Sequence, residues 1–157
     1  MYIIYMNNIL LLIRLLISIL LLFFTNFPLY IKIFALIFLD TVDFKTITQD
    51  YHYNDKIYDS FIYILLTFII YKQKIFSKNI TNFIIGLLLF RLIGTYLFLN
   101  QNNRKFLFYF PNFFLEITLL FSITKQLKLN KYLHYLIPLV FFFKIIQEYN
   151  LHYKKNI

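Results

Sequence analysis

Six long apolar runs separated by links of only a few polar residues constrain this chain more than any other feature. The run FIIGLLLFRLIGTYLFL, residues 83–99, is representative. A spanning helix needs about 20 mostly apolar residues, at about 1.5 Å of rise each. A water-soluble fold of this length must coat a large surface with polar side chains. Of 157 residues, 61% are hydrophobic and 15% charged, whereas soluble domains average about 25% charged. The expected architecture is therefore all-α: a polytopic transmembrane bundle of about six helices, one of them short. No repeat or linker is visible, so residues 1–157 are expected to form a single integral membrane domain whose principal partner is the lipid bilayer.

The expected helices cover roughly residues 3 or 9 to 24, 28–43, 54–71, 80–99, 106–124 and 132–149. Pro28 follows a break at Thr25-Asn26-Phe27 and is suited to starting a helix. The second helix is short, so it either spans with little tilt or re-enters. Pro111 is expected to kink the fifth near its start. MYIIYMNNILLLIRLL has no basic leader and is interrupted by Arg14, so it reads as a retained helix and not a cleaved signal. Six spans place both ends of the chain on one side, and basic anchors divide six to six between the two sides.

Composition excludes several chemistries. Without cysteine there is no disulfide, thiolate metal site or Cys nucleophile. Two glycines, Gly86 and Gly94, exclude a Gly-rich phosphate loop. The net charge of +9 reads as Lys and Arg anchors facing anionic headgroups, not as a nucleic-acid surface.

Ionisable groups inside apolar helices are costly and mark candidate sites. Arg91 and Glu116 lie about nine and ten residues from the link NQNNRK, so both sit roughly 13–15 Å below one surface and are expected to pair. Gly94 and Thr95 share the face of Arg91. The small Gly94 would admit a neighbouring helix. Asn112 lies one turn before Glu116. Lys144, Glu148 and His152 follow at i, i+4 and i+8, with Gln147 beside them.

Five of the seven acidic residues fall in DTVDFKTITQDYHYNDKIYD, residues 40–59: Asp40, Asp43, Asp50, Asp55 and Asp59. Asp40 and Asp43 end the second helix, where the helix dipole opposes carboxylates by about 0.3–1 kcal/mol each. Water, a basic side chain or a metal must offset that. Asp55 and Asp59, at i and i+4, open the third helix, where the dipole helps. His52 joins their face only if that helix begins early. An acidic link balanced by Lys45, Lys56, Arg104 and Lys105 is the plainer reading. Hard oxygen ligands for Mg²⁺ at Asp40, Asp43, Asp55 and Asp59 are the sharper one. Arg104, Glu148 and His152 are expected on the same interface.

Taken together, D-x-x-D at Asp40/Asp43, Y-x-x-x-D-K-x-x-D at Tyr51/Asp55/Lys56/Asp59, F-R-x-I-G at Phe90–Gly94, R-x-x-L-F-x-F-P-N-x-F-x-E from Arg104 to Glu116, and K-x-x-Q-E-Y-x-x-H from Lys144 to His152 resemble a family of small bacterial polytopic membrane proteins. The likeness covers about residues 36–153. It implies a plasma-membrane location and brings no particular activity with it. Asp55–Asp59 also resembles the last half of the motif of six-helix enzymes that transfer phospho-alcohols from CDP-linked lipids. The D-G-x-x-A-R half and the inner glycine are absent here. Two functions follow as expectations: a small transport-type or structural membrane component built on Arg91 and Glu116, or a metal-dependent lipid enzyme built on the Asp cluster. No serine takes a nucleophile position.

Overall fold

The computed structural model describes the backbone of residues 2–41 and 49–150 and the side chains of residues 9–40 and 53–150. Every regular element among them is helical: α1 (Tyr2–Phe24), α2 (Leu29–Thr41), α3 (Gln49–Lys72), α4 (Lys78–Gln101), α5 (Lys105–Tyr109), α6 (Phe114–Gln126) and α7 (Leu133–Glu148), with a 3₁₀ turn at Asn130–Tyr132 before α7. Two compact units divide between Leu66 and Thr67, within α3.

In the first unit α1 and α2 form a hairpin. The last carbonyls of a helix lack intrahelical donors. Here Thr25 Oγ1 donates to the Leu21 carbonyl at 2.7 Å, and Lys32 Nζ donates to the Leu22 carbonyl at 2.8 Å. The Pro28 carbonyl accepts from the amides of Ile31 (3.0 Å) and Lys32 (3.2 Å), so this proline starts α2 as its sequence position suggests. Leu11, Leu22, Ile33 and Leu36 are buried.

In the second unit α4 buries Thr81, Ile84, Leu88, Arg91, Thr95 and Phe98. Their spacing alternates three and four residues, the seam of a helix packed along its length. Arg91 thus occupies a core position. The expected fifth helix is two helices. Pro111 lacks an N–H, and the chain leaves helical geometry between α5 and α6. This is a break, not a kink.

The two basic links share a device. At the end of α3, Ile75 N donates to Ile70 O and Lys74 N to Tyr71 O, both at 3.2 Å. At the end of α6, Leu129 N donates to Thr124 O at 2.8 Å and Lys128 N to Lys125 O at 3.3 Å. These are Schellman ends, and the left-handed position is taken by Lys74 (φ 48°) and Lys128 (φ 57°) instead of glycine.

Among the described residues, two stretches are long and apolar enough to cross a membrane: Lys78–Gln101 and Lys105–Gln126. In α1, which has 23 residues, the part with described side chains, Ile9–Phe24, is apolar. The other expected spans fall short for physical reasons. With 13 and 16 residues, α2 and α7 are short, and α3 carries Asp55, Lys56 and Asp59 in its first half.

Candidate functional site: two buried ionic clusters

The first unit gathers its charges around Arg14. Its Nη1 donates to Asp55 Oδ1 at 2.6 Å, and its Nη2 to Asp40 Oδ1 at 2.9 Å and to Asp59 Oδ1. Lys56 Nζ adds bonds to Asp55 Oδ2 (2.7 Å) and Asp59 Oδ2 (2.9 Å). The Asp55 and Asp59 side chains are only 2% and 7% exposed, while Asp40 retains 31%. Asp40 therefore has its offset at the end of α2: the guanidinium, whose planar fork reaches separate acceptors from two nitrogens.

One local expectation changes. α3 begins at Gln49, so Asp55 and Asp59 lie beyond its first turn and gain little from its dipole. Their i, i+4 spacing matters for another reason: it aims both carboxylates at the same two cations. Asp43 and His152 lie outside the described residues, as do the side chains of Asp50 and His52.

The carboxylates of Asp40, Asp55 and Asp59 offer oxygens within 4.8 Å of one another, a grouping able to hold a cation. The donor set is of the hard type Mg²⁺ takes. Yet five of the six oxygens already accept from Arg14 or Lys56. A metal would have to evict a guanidinium and an ammonium, so the arrangement fits an internal salt-bridge network and not a divalent site.

The second unit holds a smaller cluster. Lys144 Nζ donates to Glu116 Oε1 at 2.6 Å and to Gln147 Oε1 at 3.3 Å, and lies 3.5 Å from Glu148 Oε1. Glu148 Oε1 also accepts the Asn112 amide at 3.2 Å. The Lys144 and Glu148 side chains are 9% and 4% exposed. Glu116 stands in the first turn of α6, where a carboxylate is favoured by the helix dipole. Its Oε2 is buried without a hydrogen-bond partner among the described residues. Glu116, Lys144 and Gln147 border a cavity of about 350 Å³ between α6 and α7.

The expected pair of Arg91 with Glu116 is not formed. Arg91 Nη1 instead donates to the carbonyls of Phe110 (2.9 Å) and Leu107 (3.5 Å). The cause is Pro111. An amide at position 111 would bond the Leu107 carbonyl in an unbroken helix, and proline has none. The break strands carbonyls at the end of α5, and a buried guanidinium satisfies them. Gly94 belongs to the same contact: a Cβ there would collide with Phe110 Cβ. Phe90 adds its ring at 4.9 Å from that of Phe110. The close approach expected at Gly94 is present, made by the turn before α6.

Of the remaining expected residues, Thr95 is buried beside Arg91 on the α4 seam, and Asn112 lies in the break, not on a helical stripe with Glu116. Arg104 is the N-cap of α5 and makes no ion pair with a described residue. Arg104 and Glu148 belong to the second unit, and Asp40, Asp55, Lys56 and Asp59 to the first. Sequence reasoning passed over Arg14 as an acidic-cluster partner, and Lys144 as the partner of Glu116. Each is a lone cation in an apolar helix, which is the signal that could have found them.

No protein family, curated protein or solved structure matches this chain. The chemistry of the two clusters therefore carries the functional argument.

Proposed function

We propose that the protein is a multi-pass integral membrane protein of transport type, with Glu116, Lys144 and Glu148 as its intramembrane polar site. The observation that carries this reading is the inverted polarity of α7. Its buried residues are Lys144 and Glu148. Its exposed residues include Leu139, Phe142, Phe143, Ile145 and Ile146, with both rings about 60% accessible (60% and 61%). In water such a helix would hide its charges and solvate its aromatics. In hydrocarbon the same arrangement is favourable, since charges inside a span face the protein interior and pair. α1 repeats the pattern, with Leu16, Leu20, Phe23 and Phe24 exposed and Arg14 largely covered.

Transport is favoured over lipid chemistry because Glu116 combines a shared cation, a carboxylate oxygen without a donor and a cavity wall. The Asp cluster, by contrast, is already neutralised in large part by Arg14 and Lys56. Two measurements test the proposal. Alkaline carbonate should leave the protein in the membrane pellet, and its release would end the membrane reading. Proteoliposomes should dissipate an imposed proton or alkali-cation gradient, and Glu116→Gln should slow this at unchanged protein insertion. Wild-type vesicles as tight as protein-free ones would refute transport and reduce the protein to a structural component.

A further inference from the structure

We propose that one end of the second unit is a docking surface for anionic phospholipid headgroups, which sets that end on the cytoplasmic side of the membrane. This rests on the membrane reading above and not on transport. By sequence alone the basic anchors tie and leave orientation undecided. Burial and pairing break the tie.

The end is built from the link between α3 and α4 and the link between α6 and α7. The Phe121 ring, late in α6, meets Phe76, just before α4, at 6.2 Å and Phe83, early in α4, at 6.1 Å. The two helices are therefore antiparallel. Lys125 Nζ donates to the Ile75 carbonyl, so the two links touch. Lys72, Lys74 and Lys78 from one link and Lys125, Lys128 and Lys131 from the other are all exposed.

No carboxylate shares this end among the described residues. Between Asp59 and Glu148 the sequence holds one acidic residue, Glu116. It opens α6, ten residues and about 15 Å before that helix ends at Gln126. Glu116 and Glu148 both face Lys144. Like charges on touching links repel, so an anionic layer opposite them is stabilising. Lys56, an anchor of the other side by sequence, is held by Asp55 and Asp59 and does not face headgroups. Arg104 and Lys105 are half-buried. The tie therefore breaks toward the lysine-only end, which belongs on the cytoplasmic leaflet, where anionic lipid gathers.

The aromatic neighbours identify the counter-charge as a headgroup layer. Tyr71, Tyr132 and Tyr135 border the lysines and are exposed. Tyrosine with lysine at the end of an apolar helix is the composition of a membrane interface. Lys72 Nζ stands 5.8 Å from the centre of the exposed Phe68 ring, and Lys131 Nζ 4.9 Å from that of Tyr132. These ammoniums sit at the rim of apolar surface, where a lysine stem lies along hydrocarbon and its charge reaches the phosphates.

The chain has no cysteine, so a single introduced one reports sidedness. Ser77→Cys places a thiol among the lysines, at a cap whose side chain makes no capping hydrogen bond. Gln101→Cys places one at the far end of α4. Both positions are exposed. In spheroplasts of a bacterial host, a membrane-impermeant maleimide should label the Gln101→Cys protein and spare the Ser77→Cys protein until lysis. The reverse labelling overturns the proposal, as does labelling of both before lysis. Replacing Lys74, Lys78, Lys128 and Lys131 together by Gln should make the Ser77→Cys protein reactive before lysis; unchanged protection overturns the role of the lysines. The lipid is identified on the full chain in nanodiscs of equal phosphatidylglycerol and phosphatidylcholine, followed by mild detergent exchange and native mass spectrometry. The anionic lipid should be retained about fivefold over the zwitterionic one, the factor of one lysine near an anionic surface. Equal retention by the wild-type chain overturns the proposal, as does a preference that survives the four-lysine replacement. Failure of the membrane reading is distinct: both thiols are spared before lysis, and carbonate releases the protein.

Discussion

Removing Arg14 should expose how much the first unit depends on one guanidinium. Arg14→Met keeps length and apolar volume but deletes the cation shared by Asp40, Asp55 and Asp59. Breaking a buried pair by removing one partner costs about 3–5 kcal/mol. Two features place this case near the lower end. Lys56 still bridges Asp55 and Asp59, at 2.7 and 2.9 Å, and the Asp40 side chain is 31% exposed and open to water. A loss of about 3 kcal/mol is therefore expected. Arg14→Lys should lose about 1–2 kcal/mol, because a single ammonium cannot fork to acceptors on α2 and on two turns of α3.

The assay is equilibrium unfolding in mixed micelles, titrating a denaturing detergent and following far-ultraviolet circular dichroism. Adding Asp59→Asn to Arg14→Met should recover part of the loss, because it removes a carboxylate that the first change orphaned. The coupling in that cycle should be about 1–3 kcal/mol. An Arg14→Met protein within about 0.5 kcal/mol of wild type, or a double variant no more stable than Arg14→Met alone, would refute the reasoning.

Four further outcomes follow from single contacts. Gly94→Ala should destabilise by about 1–3 kcal/mol by overpacking, since its new Cβ meets Phe110 Cβ, while Gly86→Ala, with nothing within 4 Å, should stabilise by up to about 1 kcal/mol; the same unfolding titration reads both. Lys128→Gly should raise stability by about 0.5–1 kcal/mol, because Lys128 holds φ 57° at the Schellman end of α6. Arg91→Leu should cost about 1–3 kcal/mol, the price of a buried carbonyl left without its donor, because the Phe110 carbonyl loses its 2.9 Å bond. Millimolar Mg²⁺ or its chelation should leave the wild-type unfolding midpoint unmoved, whereas Arg14→Ala should become stabilised by Mg²⁺, since its three carboxylates offer oxygens within 4.8 Å once the guanidinium is gone.

Helix existence was largely legible here because apolar runs with basic or proline punctuation mark the segments, although α3 begins at Gln49, ahead of its apolar run, and the expected fifth helix is two. Partner choice was not read from the sequence, although a simple depth rule accounts for two of the pairs: charges equally far from a shared turn meet across a hairpin. Arg14 lies ten residues before Phe24, where α1 ends, and Asp40 eleven after Leu29, where α2 begins. Glu116 lies ten residues before Gln126, where α6 ends, and Lys144 eleven after Leu133, where α7 begins. Both pairs form, at matching depths of about 15–17 Å from their turns. The same rule applied to Arg91 and Glu116 fails because it assumes unbroken helices on both sides of the link. α5 lasts five residues and the chain then leaves the helix around Pro111. Depth counted from the link therefore stops meaning anything before Glu116 is reached. The proline does more than spoil the count. It strands the Leu107 carbonyl and, with the break, the Phe110 carbonyl, which Arg91 takes up; Glu116, placed in the first turn of a new helix, is left to Lys144. A proline inside an apolar run with a charge beyond it marks the point where the depth rule must be restarted, and a cation at that level belongs to the broken backbone before it belongs to any carboxylate.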